Sequence, residues 1–285
     1  MPSPVLAAAC QISIDIDNPA ANRAAMTAAV QDAAEQGAVL IVLPELAASG
    51  YMFRDRAEAW AAAERLDGPT VETLSRLSEQ YGCVIVGGLC ERGPENQLWN
   101  SAVVLDNGKL VDVYRKVHLW GTETLIFDPG ARHSPVLNTT AGRLAPMICY
   151  DSEFPEWVRL AADAGAEIIT VPADWPLGPR PATERPIEIL KAQAFAGTYR
   201  VNIIIADRCG VERGQDWIGG SIIVGPDGYL RAGPPAIAQP AQPALVLATI
   251  DPAEARDKAI GPHNDARADR RPDLYEPVIS ASLRQ

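Results

Sequence analysis

The chain has 285 residues, 47% of them hydrophobic, enough for a packed core, which excludes a largely disordered protein. Thirty-six acidic against 25 basic side chains leave a formal net charge of −11, and no run of Lys and Arg offers a nucleic acid a basic face. No apolar run approaches the ~20 residues that a membrane-spanning helix needs, so a cytoplasmic protein without membrane contact is expected.

In chain order, residues 5–12 read as a first buried strand. Leu6-Ala7-Ala8-Ala9-Cys10 looks like a lipoprotein cleavage site, but no basic region precedes it and the apolar stretch is too short for a signal peptide. Residues 20–36 are Ala-rich and free of Gly and Pro, which predicts a helix ended by Gly37. Residues 38–43 form an apolar run of strand length, stopped by Pro44-Glu45. A helix over 70–81 is entered through Gly68-Pro69, and a strand follows over 83–89. Residues 101–105 and 109–114 make a hairpin around Asp106-Asn107-Gly108, a strong turn signal. A further apolar strand runs up to Cys149, and a helix begins near Ser152-Glu153 and continues over 157–164.

The second half echoes the first. Gly165-Ala166-Glu167-Ile168-Ile169-Thr170-Val171-Pro172 resembles Gly37-Ala38-Val39-Leu40-Ile41-Val42-Leu43-Pro44, and each follows an Ala-rich helical stretch. A helix over 184–200 and a strand over 201–206 answer those at 70–81 and 83–89, and residues 221–228 align with the hairpin at 101–108. This doubled order predicts an internally duplicated α/β protein. Two sheets, each with helices on one side, would bury their bare faces together as a four-layer α-β-β-α sandwich. Residues 1–255 are expected to form that domain. Residues 256–285, with an Arg-rich stretch at 267–271, are expected to form a tail on the domain or on a partner subunit.

Five cysteines, an odd number, argue against a disulfide framework. With no Cys-x-x-Cys pair and three histidines, no closely spaced ligands suggest a metal, and no cofactor is called for. Cys10, Cys83, Cys90 and Cys209 lie in or beside apolar runs, where buried, inert thiols are the default. Cys149 differs. At a strand-to-helix elbow a thiol meets backbone N–H groups, which lower its pKa and can hold an oxyanion.

A thiolate that attacks a carbonyl needs a base, a stabiliser for the oxyanion and a proton donor for the leaving amine. Two bases are open. His118 closes Tyr114-Arg115-Lys116-Val117-His118, with no evident Asp or Asn to orient it. Glu45 ends a central strand, where ligands gather in α/β sheets, and burial would raise its pKa toward neutrality. Lys116 shares a strand face with Tyr114 and His118 and could place a positive charge on the oxyanion. There is no Gly-x-Ser-x-Gly serine elbow.

Together these segments resemble the nitrilase, or carbon–nitrogen hydrolase, superfamily over nearly the full chain. The resemblance rests on Leu43-Pro44-Glu45-Leu46 with Ser49-Gly50-Tyr51, on Tyr114-Arg115-Lys116-Val117-His118-Leu119, and on Cys149-Tyr150-Asp151 with Phe154-Pro155-Glu156. Glu123 with Phe127-Asp128-Pro129-Gly130 looks like the family's second glutamate region. Val171-Pro172-Ala173-Asp174-Trp175-Pro176 looks like its Pro-Ala-Asn-Trp-Pro segment, with Asp174 in place of the usual Asn. The resemblance implies the same doubled sandwich and a Glu45–Lys116–Cys149 triad working through a thioester, with Glu123 positioning substrate or Lys116.

The residues after Cys149 differ from the Trp-Glu of nitrilases proper and from the arginines of N-carbamoyl-D-amino-acid hydrolases. This favours a neutral or cationic small amide. An N-carbamoyl substrate, then a nitrile, then a catalytically silent small-molecule-binding scaffold are the alternatives. Tyr51, Trp120, Tyr150, Asp174 and Trp175 are read as substrate-binding residues, and Arg180 and Arg185 stay open as carboxylate ligands. The resemblance also implies a homodimer or larger homo-oligomer, with residues 154–160 near the contact.

Overall fold

The computed structural model describes residues 4–181, 184–234 and 241–275. The first unit runs β1 (Val5–Gln11), α1 (Pro19–Glu35), β2 (Leu40–Val42), α2 (Arg56–Ala62), α3 (Pro69–Tyr81), β3 (Val84–Arg92), β4 (Leu98–Asp106) and β5 (Lys109–Arg115). One helical turn, α4 (Glu123–Ile126), precedes the second unit. That unit has β6 (Leu137–Thr139), β7 (Gly142–Pro146), α5 (Pro155–Asp163), β8 (Ile168–Ala173), α6 (Ile187–Tyr199), β9 (Asn202–Asp207), the short ribbon β10 (Val211–Glu212) and β11 (Gln215–Asp216), β12 (Ile222–Val224) and β13 (Leu230–Ala232). The chain then returns to the first sheet as β14 (Ala244–Ile250).

The two six-stranded sheets are ordered β14-β1-β2-β3-β4-β5 and β13-β12-β9-β8-β7-β6. Each has a parallel core, β1-β2-β3 or β7-β8-β9, continued by an antiparallel hairpin, β4-β5 or β12-β13. The duplicated order read from the sequence is therefore the order of the sheets. Each sheet also gains an antiparallel edge strand beside its first parallel strand: β14 against β1, and β6 against β7.

Alternation along the strands separates the layers, because successive side chains of a strand face opposite ways. Ala7, Ala9, Leu40, Val42, Val84 and Val86 pack into the core between the sheets with Ile169, Val171 and Ile203 of the second sheet. Ala8, Cys10, Ile41, Leu43 and Ile85 point outward and pack with Met26, Val30, Leu74 and Leu77 of α1 and α3. Leu74 and Leu77 are 1% and 0% exposed, and burying each contributes roughly 1.5–3 kcal/mol. On the other side, α5 and α6 present Val158, Ala161, Ile189, Ala192 and Ala196 to the second sheet.

Local signals explain the helix bounds. Pro69 starts α3 at the position where a missing N–H costs nothing, and Gly82 ends it in the left-handed region at φ 61°. Asn107 and Gly108, at φ 48° and 81°, make the turn between β4 and β5. The expected strand up to Cys149 ends instead at Pro146, although the Met147 amide still donates to Thr170 O at 2.9 Å. Residues Cys149–Glu153 form a 3-10 turn, and the α-helix starts only at Pro155, whose fixed φ suits a first helical position. The helix expected over 184–200 starts at Ile187, after Pro186.

Beyond β14, the Arg256 side chain pairs with Glu167 at 2.5 Å, and Lys258 donates to the Tyr199 and Arg200 carbonyls at the end of α6. Arg270 meets Asp163 at 2.8 Å. Residues 276–285 of the expected tail lie outside the described residues. Among the described residues no helix is long and apolar enough to cross a membrane, and no three His, Cys, Asp or Glu side chains are grouped to hold a metal ion.

Candidate active site

The segment after β2 is held against β3: Leu43 N donates to Val86 O at 2.8 Å, and Gly88 N to Pro44 O at 3.1 Å. The approach is so close that a Cβ on Gly88 would lie 2.4 Å from both Leu46 N and Pro44 O. Glycine there lets the backbone carrying Glu45 sit on β3. The Glu45 carboxylate is fully buried. Its Oε1 accepts from Lys116 Nζ at 2.7 Å and Asn100 Nδ2 at 2.6 Å, and its Oε2 accepts from Asp174 N at 3.1 Å.

Lys116 follows the last residue of β5, and its backbone N–H donates to Asn100 O at 2.8 Å. Its buried Nζ also donates to Glu123 Oε1 at 2.8 Å. Glu123 opens α4; its Oε2 accepts from Trp120 N at 2.8 Å, and Asn100 Nδ2 reaches its Oε1 at 3.2 Å. Two carboxylates, one ammonium and one carboxamide thus form a closed, buried cluster.

Cys149 comes to this cluster from the other unit. It stands at φ 44°, a left-handed conformation unusual for a non-glycine residue, and is 6% exposed. Its Sγ lies 4.0 Å from Asp174 O. One carboxylate joins the two segments: Asp151 accepts from Ile148 N next to Cys149, from Val117 N and His118 N next to Lys116, and from the Tyr114 hydroxyl at 2.8 Å. It also binds His118 Nδ1 at 2.7 Å. An Asp does therefore orient His118, against the expectation. The ring is stacked on Phe154 at 4.0 Å and turned toward Asp151, whereas the charges that act on the Cys149 thiol are those of Glu45, Lys116 and Glu123.

Burial dominates the electrostatics. It raises the Glu45 carboxyl, and Lys116 pulls it back while Glu123 adds to the rise, leaving its pKa at about 7. Burial also pushes the Cys149 thiol well above its ordinary value; the Glu45 charge adds to this and Lys116 opposes it. For Lys116, burial favours the neutral amine, but the carboxylates of Glu123 and Glu45 prevail and hold it as ammonium. The resting site is thus a protonated thiol, an ammonium and a carboxyl poised near neutrality.

Cys149 opens into a cavity of about 350 Å³ whose walls include Trp120, Tyr150, Phe154, Asp174, Trp175 and Pro176. Four expected substrate-binding residues, Trp120, Tyr150, Asp174 and Trp175, lie in that wall. Tyr51 does not line it. Its hydroxyl, raised well above the ordinary tyrosine value by burial and then by Glu123 and Glu45, lies beside the cluster instead. Its loop is pinned by Glu212, which accepts from Tyr51 N and Met52 N at 2.9 and 2.7 Å. Arg180 and Arg185 line an adjoining groove of about 470 Å³, and neither lines the cavity that holds Cys149.

Sequence reasoning finds no sign of a role for Asn100, Glu188, Lys191 or Arg208, and Asp151 enters there only within the Cys149-Tyr150-Asp151 segment. Arg208 is fully buried, donates to Glu212 Oε2 at 2.9 Å and Ile14 O at 2.7 Å, and stands 3.6 Å from Asp174 Oδ2. Its Glu212 partner stands four residues on, but outside any helix that spacing does not foretell a contact.

A family model described as carbon-nitrogen hydrolase matches residues 6–259. Among curated proteins, a nitrilase of Pyrococcus abyssi is 34% identical over 93% of this chain and 97% of its own length. The deaminated glutathione amidase of Rattus norvegicus is 31% identical over 97% of this chain and 85% of its own length. Among solved structures, an amidase from Nesterenkonia sp. superposes with a TM-score of 0.77 at 28% identity, covering 98% of this chain and 97% of that one. A glutamate-to-glutamine mutant of the amidase from Nesterenkonia sp. AN1 matches with a TM-score of 0.77 at 28% identity, over 97% of each chain. It is described as showing covalent addition of the acetamide moiety of fluoroacetamide at the active-site cysteine.

Proposed function

Because the chain belongs to the carbon–nitrogen hydrolase family, we propose that it hydrolyses a small non-peptide amide to a carboxylic acid and ammonia, with Cys149 as nucleophile. The observation that carries this reading is the buried Glu45–Lys116–Glu123 cluster, whose charges act directly on the Cys149 thiol. The amidase names among the relatives and solved structures support it.

In this reaction Glu45 takes the thiol proton as Sγ bonds to the amide carbon. A carboxyl poised at about pH 7 can both accept and return a proton at neutral pH. The carbonyl electrons move onto oxygen, where the Lys116 ammonium and the Tyr150 backbone N–H receive the negative charge. Collapse of this intermediate breaks the carbon–nitrogen bond, and Glu45 returns its proton so that ammonia leaves. Water then attacks the thioester while Glu45 takes one of its protons. The second collapse frees the carboxylic acid and returns the proton to sulfur. Glu123 and Asn100 are positioning residues, holding Lys116 and Glu45 from behind.

The test is ammonia release from a panel of aliphatic amides, ureido compounds and nitriles. Amides are expected to turn over, and Cys149→Ala is expected to remove turnover with the unfolding transition kept. Ammonia release by a folded Cys149→Ala protein at the wild-type rate would end the proposal, and turnover of nitriles alone would redirect it.

A further inference from the structure

Among the described residues the cavity wall carries, besides Asp174, three carboxyl or ammonium side chains beyond the buried cluster: Glu153, Glu188 and Lys191. Lys191 is already neutralised, because its ammonium meets Glu153 Oε2 at 2.5 Å. Glu188 lies one turn earlier on α6 and is half-buried. Among the described residues no other side chain forms a hydrogen bond or ion pair with its carboxylate, and it lines both the cavity and the adjoining groove. Burial pushes this carboxyl above its usual range and Glu153 adds to the rise, while its own backbone N–H, Lys191 and Arg180 oppose it. Trp120 and Tyr150 line the same cavity, edge to face at 4.8 Å, and offer π faces that attract cations. Among the described residues no arginine lines this cavity to grip a carboxylate in a bidentate pair; Arg180 and Arg185 line the adjoining groove.

We propose that the preferred amide carries an ammonium group at the end remote from its carbonyl, bound by Glu188 against the aromatic wall of Trp120 and Tyr150. This rests on the amidase reading above and adds the substrate's charge. The carbonyl lies at Cys149, the aliphatic chain crosses the cavity, and the ammonium meets Glu188, the wall carboxylate that has no ion-pair partner among the described residues. An anionic tail in the same place would face Glu188 and Glu153, with Lys191 already engaged.

Three amides of matched length separate the outcomes: 5-aminopentanamide with a cationic tail, hexanamide with a neutral one and glutaramic acid with an anionic one. The expected order of kcat/KM is cationic, neutral, anionic, with at least a tenfold step from cationic to neutral. In Glu188→Gln that cationic-to-neutral ratio is expected to fall about tenfold, Glu188→Asp is expected to keep part of it, and Glu188→Lys to turn the preference toward glutaramic acid. A wild-type preference for glutaramic acid, or a ratio unmoved in Glu188→Gln, overturns the proposal and leaves the amidase reading in place. Failure of the folded wild-type protein to release ammonia from any of the three would remove both.

Discussion

Two equivalent strand ends, β2 in the first unit and β8 in the second, each deliver a buried carboxylate just after a proline: Glu45 after Pro44, and Asp174 two residues after Pro172. Their surroundings differ. Glu45 accepts from three donors. Neither carboxylate oxygen of Asp174 has a hydrogen-bond partner among the described residues, and the nearby Arg208 gives its hydrogen bonds to Glu212 and Ile14. Burial pushes both carboxyls up. The Lys116 charge, helped by hydrogen bonds from Lys116 and Asn100, brings Glu45 back to about 7, whereas Asp174 stays well above its ordinary range against the pull of Arg208 alone. Burial supplies a raised pKa, then, and a cation that also hydrogen-bonds the carboxylate, as Lys116 does, brings it back toward neutrality. Asp174 serves through its main chain, its N–H on Glu45 and its carbonyl beside Cys149 Sγ.

The largest expected effect is that of Glu45→Gln. It keeps the shape but cannot carry the thiol proton, and should lower kcat about 10²–10⁴-fold; an active variant would move the base to His118 and break the comparison. Lys116→Met removes one oxyanion contact, so kcat should fall about 10²–10³-fold. It also leaves Glu45 and Glu123 buried without their cation, so urea unfolding should show a loss of about 3–5 kcal/mol.

Asn100→Ala sharpens the role of donors. Glu45 must be ionised to accept the thiol proton, so wild-type kcat/KM should rise with pH through about 7. Loss of the Asn100 bond, which lowers the Glu45 pKa, should move that limb to higher pH while the high-pH plateau largely survives. The same raised pKa links to stability. Between 4.5 and about 7 the folded state holds a proton that the unfolded chain has released, so this stabilisation is full below 4.5 and lost as pH rises through about 7. Thermal unfolding of Glu45→Gln should accordingly vary less between pH 5 and 8 than that of the wild type. The smallest effect belongs to Asp174→Asn, expected to keep kcat within about tenfold because an amide of the same shape replaces a carboxyl that burial pushes well above its ordinary range and whose oxygens accept no hydrogen bond among the described residues. A loss matching that of Glu45→Gln would place both strand ends in the chemistry.

The doubled sheet order is legible because each unit writes an apolar strand ending in Pro, a helix, a second apolar strand and an Asn-Gly or Asp-Gly turn in the same sequence. The edge strands are hidden. β6 has three residues, too few for a pattern, and β14 pairs with β1 from the far end of the chain, Val5 against Ile250, a contact that no local signal encodes. Helix α2 was there to be read: Asp55 caps it by accepting from Glu58 N, the Asp-x-x-Glu spacing of a helix start. Glu45, Lys116 and Cys149 are conspicuous because each ends an apolar or strand-like run. Asn100 gives no such sign, since an asparagine inside a strand reads as a weak strand former rather than as a bridge between two glutamates. Asp151 gathers donors from residues 114, 117, 118 and 148, a convergence that exists only after folding.

The elbow sulfur, 6% exposed and held as a thiol by its surroundings, has a consequence for oxidative stress. Peroxides attack thiolates, so a resting Cys149 resists conversion to sulfenic acid far better than an exposed, low-pKa sensor cysteine. If Lys116 holds the oxyanion as proposed, reagents whose electrophilic carbon bears an oxygen within its reach are expected to label Cys149 faster than simple alkylators of equal intrinsic reactivity, as the rate of thiol loss would show. In the proposed reaction resistance to peroxide and selectivity toward covalent reagents would then come from one arrangement, in which the sulfur ionises only as it forms its next bond.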